Sequence, residues 1–251
     1  MAFGFINRNN SETDQVETTV SENVAINTPV IEKINKRIFS DFIYDVGPRF
    51  HVIKKGNLDN VRSFSDFIGK DHAQRIVSYK SLSVIILDGD KQTDIKETGN
   101  HGVLTAAQIK LLQSTDYSTN LLIRAEYIER NKETGELENS YWTPYLTIVP
   151  EKQAAYVPGK DALMEYLKEY SKEVRVNVQT DKLQPAKLFF TVTKKGTIEN
   201  VKLDRTSGYP SVDKKMIELI TKTPGKWEPA ENANGEKLDQ ELVISFGLMG
   251  C

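Results

Sequence analysis

The sequence predicts an α+β fold divided into two small domains that follow a flexible N-terminal tail. Residues 151–251 show the order helix, strand, strand, helix, strand, and residues 29–150 mix strand patterns with one clear helix. Of the 251 residues, 39% are hydrophobic and 27% are charged, which is enough apolar material for packed cores. We therefore divide the chain into a tail (1–28), a first module of unknown role (29–150) and a second module (151–251).

The tail is defined by its composition. After an apolar opening at residues 1–6, it consists mainly of Asn, Ser, Glu and Thr, and it cannot bury enough surface to offset the entropy of ordering. The apolar opening is too short for a signal peptide. Two interpretations stay open, namely an ordinary flexible terminus and the remnant of a longer membrane anchor.

The first module begins with one buried strand and one helix. Residues 79–87 end in a short β-branched apolar run, and Asp88-Gly89-Asp90 follows as a turn. Residues 105–113 carry apolar side chains at helical spacing, with Thr105 as the N-cap. Residues 39–67 contain several aromatic side chains without a clean period, so no element is assigned there.

A β-hairpin completes the first module. Residues 121–130 and 137–149 are extended runs around a polar turn, in which Gly135 supplies the positive φ that such a loop requires. Tyr141, Trp142 and Tyr145 lie on the second strand of this hairpin. Aromatic residues on strands usually form cross-strand pairs or core, and a binding platform is the alternative.

The second module has a sharper pattern. Residues 161–174 predict a helix, and its apolar face carries Leu163, Leu167, Tyr170 and Val174. Residues 187–193 and 198–203 predict a hairpin turning at Gly196. Because Ile198 and Val201 differ in parity, the second of these strands is expected to carry a bulge.

A helix and a strand close the chain. Apolar residues at helical spacing between 212 and 220 predict a helix that ends before Pro224-Gly225. Residues 242–248 alternate apolar and small or polar side chains, which is typical of a half-buried strand.

Charge and motifs exclude several function classes. The 33 Lys and Arg residues nearly balance the 35 Asp and Glu residues, and the net charge of −2 leaves no basic field for nucleic acid. The single cysteine, Cys251, and three scattered histidines predict no metal site and no disulfide framework. Nucleophile-elbow, zinc-protease and phosphate-loop motifs do not occur. We therefore expect a non-enzymatic protein without cofactors.

Residues 156–249 resemble the TonB C-terminal domain, in the variant common among Bacteroidetes-type envelope proteins. Five motif residues carry this resemblance in the family's order: Pro158 and Gly159 before the first helix, Gly196 in the hairpin turn, and Trp227 and Pro229 in a Trp-x-Pro-Ala element. The strand over 242–246 then closes the domain. The sequence departs from the family before the first hairpin strand, where Tyr-Pro and a Gly are usual.

The resemblance implies a periplasmic protein of a Gram-negative envelope that acts in energy-coupled transport. Its partner would be the N-terminal peptide of an outer-membrane receptor, which adds as a strand to an exposed sheet edge. That edge is predicted to consist of Glu241, Leu242, Val243, Ile244, Ser245 and Phe246. Leu242, Ile244 and Phe246 would face the core, whereas Val243 and Ser245 would face outward.

Full transducers of this family also have a membrane helix and a Pro-rich spacer. This chain has nine prolines without a proline run, and no stretch approaches the roughly 20 apolar residues that cross a bilayer. If the native form carries an anchor, an inner-membrane proton-channel complex becomes a second partner. The alternative function is an envelope structural or assembly protein that uses the TonB-like domain to hold a partner or to form a homodimer.

Overall fold

The computed structural model describes residues 42–248, so the predicted tail (1–28) and Cys251 lie outside the described residues. Helices and strands are mixed, which confirms the α+β class. The helices are α1 Lys55–Leu58, α2 Lys70–Ala73, α3 Ala106–Gln113, α4 Lys160–Tyr170, α5 Lys172–Arg175 and α6 Pro210–Thr221.

The strands form two larger sheets and two short two-stranded pairs. The first sheet contains β2 His51–Lys54, β3 Ile76–Asp88, β4 Lys91–Gly99, β5 Asn120–Arg130, β6 Leu137–Trp142 and β7 Tyr145–Val149. The second sheet contains β1 Ile43–Gly47, β9 Pro185–Val192, β10 Ile198–Arg205 and β14 Gln240–Gly247. The short pairs are β8 Ala155–Tyr156 with β11 Trp227–Glu228, and β12 Ala230–Glu231 with β13 Lys237–Leu238.

The first sheet has the order β2-β7-β5-β3-β4, with β6 paired to β5 beyond the end of β7. One face packs against α1, α3 and the 3₁₀ turn Phe64–Asp66. Leu58, Phe64, Leu82 and Ile123 lie at the centre of this core and are almost completely buried. Every second side chain along the long strands points toward this face, and these side chains are apolar. The sheet therefore buries this face.

The sequence-based elements of the first module are confirmed, with one break. Thr105 caps α3, since its hydroxyl accepts from the Gln108 N–H. The turn between β3 and β4 has Gly89 at φ +59°, and the β5–β6 turn has Gly135 at φ +73°. The second strand of the predicted hairpin is interrupted at 143–144, where the Pro144 carbonyl accepts from Ile123.

The second sheet has the order β1-β14-β9-β10, and its strands are antiparallel. Helices α4 and α6 cover one face and contribute buried apolar side chains to a single core with β9 and β14. The members of that core with no exposed surface are Leu163, Leu167, Leu188, Phe190, Val192, Val212, Met216, Ile220 and Ile244.

Two local predictions for the second module have opposite outcomes. The bulge in β10 is confirmed, because its pairing with β9 shifts register between Glu199 and Lys202 and again before Arg205. The predicted helix over 161–174 breaks at Ser171 into α4 and α5. Tyr170 was predicted to face the core, but it is 60% exposed, because the helix ends there and its ring packs on Tyr166 instead.

The two modules meet at the face of the second sheet opposite its helices. Lys187, which lies opposite Ser245 on this face, has its Nζ 6.0 Å from the centroid of the Phe50 ring of the first module. In the plane of the sheet, the Glu241 N–H donates to Ser118 Oγ of the first module at 3.1 Å. Val243, on the same face, is only 5% exposed, so the prediction that it faces outward is wrong. The alternation was interpreted correctly, but the sequence did not show that a second layer covers this face.

A buried arginine links the modules. Arg49 Nη1 lies 2.9 Å from Asp90 of the first module and 2.9 Å from Asp204 on β10, and its side chain is 3% exposed. Arg205 also reaches Asp90, at 2.8 Å. Burial raises the pKa of Asp90, but the hydrogen bond from Arg49 and the charges of Lys187, Arg49 and Arg205 outweigh it, so the pKa lies below its usual value of 3.8.

We expect Arg49→Ala to lower the free energy of unfolding by about 2–3 kcal/mol, because it leaves two partly buried carboxylates without their shared cation. Arg124→Ala is the matched control, since the Arg124–Glu126 pair is about half exposed and should contribute under about 0.5 kcal/mol. Urea titration measures both. Equal losses in the two variants would show that Arg49 is not a structural link.

The Arg49 effect should also depend on pH. Asp90 has a lowered pKa in the folded protein, so its contribution is present above pH 3.8, the value in an unfolded chain, and is lost as the pH falls through the lower folded value. We therefore expect the difference between the wild type and Arg49→Ala to shrink in acid. A difference that stays constant between neutral pH and acid would contradict this origin.

Candidate strand-binding site

The strand predicted to be a free edge is an interior strand. β14 lies between β9 and β1, and β1 pairs with it antiparallel from Ile43 opposite Gly247 to Gly47 opposite Val243. The prediction that 241–246 form an open edge is therefore wrong. Side-chain periodicity shows which face of a strand is buried, but it carries no information on strand order.

The core-facing residues of β14 are confirmed. Leu242, Ile244 and Phe246 are 3%, 0% and 1% exposed. Glu241 and Ser245 lie on the opposite face and are half-buried. Burial raises the pKa of Glu241, the positive charge of Arg49 opposes that change, and the negative charge of Asp204 adds to it.

The pairing strand inserts alternate side chains into the second module. Phe42 is 5% exposed within that core, and Tyr44 and Val46 pack against it. Between them, Asp45 points to solvent and lies 2.5 Å from Lys160 on α4. The segment 42–47 therefore binds like an extended peptide, with main-chain pairing on one side and alternate side chains seated in the core.

Two polar residues contact the two aromatic rings of this segment, namely Ser171 at the break between α4 and α5 and Arg175 on α5. The Arg175 guanidinium lies 5.4 Å from the Phe42 ring centroid and 6.0 Å from that of Tyr44. Arg175 Nη2 also donates to the Lys168 carbonyl. The hydroxyls of Tyr44 and Ser171 are 2.6 Å apart. We call β14, Arg175 and Ser171, where they contact segment 42–47, the strand site.

The strand site is buried, and its electrostatics follow from that. Arg175 and Ser171 are both 0% exposed. Burial lowers the pKa of Arg175, and this effect outweighs the negative charges of Tyr44 and Glu169, which raise it. Burial likewise raises the pKa of Tyr44, while the Ser171 hydrogen bond and Arg175 lower it. A phenol and a guanidinium are therefore held out of water together.

The motif residues of the resemblance lie elsewhere. Gly196 has φ +77° in the β9–β10 turn, and a Cβ there would lie 2.4 Å from the Trp227 carbonyl and 3.9 Å from Pro229 Cδ. Gly159, at φ +97°, precedes α4, next to Pro158. The structure brings Gly196, Trp227 and Pro229 together at the β9–β10 turn, whereas segment 42–47 pairs with β14.

The sequence held one usable signal for the missed strand. Phe42, Tyr44 and Val46 alternate with Ile43 and Asp45, which is a period of two within the region where no element was assigned. No comparable signal marks Arg175, because an arginine on a helix next to lysines and glutamates is usually exposed.

The exposed aromatic residues of the first module border a second concavity. Tyr141 is 69% exposed and Tyr145 is 39% exposed, and with Lys80, Arg124 and Asn139 they line a groove of about 460 Å³ on the open face of the first sheet. Trp142 points to the other face, where it meets His72 at 5.4 Å. The aromatic run therefore does not form one platform, because its members alternate between faces.

One cluster of titratable groups lies beneath Trp142. His72 Nε2 is 2.7 Å from the Tyr127 hydroxyl and 3.4 Å from Glu129, and Arg75 is 3.5 Å from the same carboxylate. The Tyr127 hydroxyl and His72 are within hydrogen-bond distance, whereas Glu129 Oε2 is buried without a hydrogen bond and is approached only by the two ion pairs. Within residues 42–248, no group of three or more His, Cys, Asp or Glu is arranged to hold a metal ion.

In the part of the chain that the structure describes, no helix combines the length and apolar character needed to span a membrane. Comparison with protein-family models, with curated proteins and with solved structures finds no match to this chain.

Proposed function

We propose that this chain is a non-enzymatic, TonB-like protein of a Gram-negative envelope whose second module binds an extended segment of an outer-membrane receptor by strand addition. The observation that carries the proposal is segment 42–47, which occupies the edge of β14 as such a peptide would. Its place in the periplasm and in energy-coupled transport rests on the resemblance of residues 156–249. If the native form carries a membrane anchor, the inner-membrane proton-channel complex is the proposed source of energy.

Strand addition suits this surface for a physical reason. Main-chain hydrogen bonds supply affinity without regard to sequence, and alternate side chains add specificity where they enter pockets. Phe42 and Tyr44 enter the second core in this way, whereas Asp45 remains exposed. Hydrogen bonds along a strand also share a pulling load, which fits a protein that transmits force.

The opposite edge of the second sheet is poorly suited to the same task. β10 carries two register shifts along its pairing with β9. Its exposed residues include Glu199, Lys202 and Arg205. Bulges and charges are the usual means by which edges avoid adding strands. This contrast supports β14, when a partner segment replaces 42–47 beside it, as the strand that binds the peptide.

A second candidate is an assembly protein that pairs with itself. The strand site is filled by the chain's own segment, so exchange of 42–47 between two copies would preserve every contact of the site while joining the copies. Sedimentation velocity over a wide concentration range separates the two candidates, since only exchange raises the mass with concentration.

The proposed function is tested by titrating the full isotope-labelled chain with N-terminal peptides of Gram-negative outer-membrane receptors. We expect weak saturable binding, with amide shifts confined to β14, β1 and their neighbours. A scrambled version of each peptide is the control. Because segment 42–47 competes for the site, the same titrations are run on the Phe42→Ala variant, in which that segment is weakened. Flat titrations of both chains would overturn the transport function, and shifts centred on β10 would overturn the assignment of the edge.

A further inference from the structure

We propose that the strand site selects segments with aromatic side chains at alternate positions, and that the buried guanidinium of Arg175 reads those rings. This inference rests on the proposed function and deepens it, because it gives the chemistry of the bound segment. Segment 42–47 is the occupant seen here, and a partner segment with the same pattern would compete for the same site. The expected pattern follows residues 42–46: an aromatic residue, then any residue, then tyrosine, then an acidic residue and finally an aliphatic one.

The first argument is the burial of Arg175. A fully buried guanidinium requires compensation for the water it loses. Two of its compensating contacts, the faces of Phe42 and Tyr44 at 5.4 and 6.0 Å, belong to the bound segment and not to the module that contains Arg175. A segment with aliphatic residues at these positions would bury the same cation without a π face.

The second argument is the hydrogen bond at the central position. Ser171 is 0% exposed and lies at the break between α4 and α5, with its hydroxyl 2.6 Å from that of Tyr44. Phenylalanine at this position would leave the buried Ser171 hydroxyl without that hydrogen bond. The site therefore favours tyrosine over phenylalanine, and phenylalanine over leucine, at the centre of the segment.

The third argument concerns the exposed position between the pockets. Asp45 lies 2.5 Å from Lys160, and both side chains are more than half exposed. Such a pair adds little affinity, but it favours an acidic residue over a basic one at this position and so helps to set the register. Recognition thus combines one buried and one half-buried aromatic ring with one exposed charge.

The tether makes segment 42–47 a strong competitor. A segment held on the same chain is present at an effective concentration on the order of millimolar. To displace it, a free segment needs either a higher concentration or a higher affinity for the site. The wild-type chain should therefore bind a free segment poorly, and weakening of the tethered copy should reveal the site.

The experiment uses the full chain with Phe42→Ala and Tyr44→Ala, which weakens the tethered segment. The probe is a fluorescent peptide with the sequence of residues 42–48, and the control peptide carries leucine in place of both aromatic residues. We expect the aromatic peptide to bind this variant at least about tenfold more tightly than the leucine peptide, and more tightly than it binds the wild type. Adding Arg175→Lys, which keeps the charge but loses the planar group, should remove most of that preference.

The outcomes separate the two proposals. Equal binding of both peptides would overturn aromatic selection and leave strand capture standing. Absence of binding by either peptide would overturn strand capture itself, and with it the proposed function. If the double variant does not fold, hydrogen exchange on the wild type with excess peptide replaces it: loss of protection in β1 with retained protection in β14 supports exchange at the site, and unchanged protection in β1 overturns it.

Discussion

Truncation of Trp227 to alanine is expected to lower the free energy of unfolding by about 3–5 kcal/mol. The indole is 7% exposed, and its ring centroid lies 5.3 Å from that of Tyr156 and 5.4 Å from that of Phe190. The residue thus fills the seam between the β8–β11 pair and the second sheet. Its loss leaves a cavity that a short loop and a sheet cannot close without moving backbone.

Trp142→Ala is the matched control, because the chain has two tryptophans and Trp142 is 48% exposed. We expect that variant to lose under about 1 kcal/mol. Trp227→Phe should fall between, at about 1–2 kcal/mol, since it keeps part of the ring. Denaturant titration measures all three. Similar losses for Trp227→Ala and Trp142→Ala would contradict a central packing role for Trp227.

Replacing Gly196 with alanine should destabilise the chain by about 3 kcal/mol, because a positive φ and a steric clash act together. Its φ is +77°, and an added Cβ would stand 2.4 Å from the Trp227 carbonyl oxygen, closer than any real contact of that kind. Backbone cannot move aside as a flexible side chain would. The β9–β10 turn or the loop before β11 must therefore shift.

Gly235→Ala measures how much a positive φ by itself destabilises the chain when the residue is alanine. Gly235 has φ +78°, almost the value at Gly196, but nothing lies within 4 Å of the position of its Cβ. We expect a loss of about 1 kcal/mol there. The difference between the two variants in thermal or chemical denaturation measures the clash. Equal losses would mean that the close approach of the Trp227 carbonyl is relieved at no cost.

Local structure was largely predictable from the pattern of side chains. The bulge in β10 followed from the parity of Ile198 and Val201, because a strand that must turn both toward one face needs an extra residue. The cap at Thr105 and the positive φ of Gly135 followed from the chemistry of the helix start and the turn. Each of these features depends only on residues a few positions away in the chain, so the local sequence is enough to predict it.

The strand site was only half predictable. The inward face of β14 followed from the alternation of Leu242, Ile244 and Phe246, and all three are buried. The pairing of β14 with segment 42–47 was not predictable, because that segment is distant in sequence. Its short alternation of side chains does not indicate which strand it pairs with. The burial of Arg175 was not predictable for a related reason, because the rings of Phe42 and Tyr44 that it contacts come from a segment distant in sequence.

The amino-acid sequence by itself determined the α+β class, the three longest helices, half of the strands, and which face of β9 and β14 is apolar. Tertiary structure alone decided strand order, the burial of Val243 between the modules, and the pairing of β1 with β14. The physical reason is that periodicity records only whether a side chain prefers water. Which surface removes it from water is settled by contacts between distant segments, and here those contacts turned a predicted open edge into an occupied strand site.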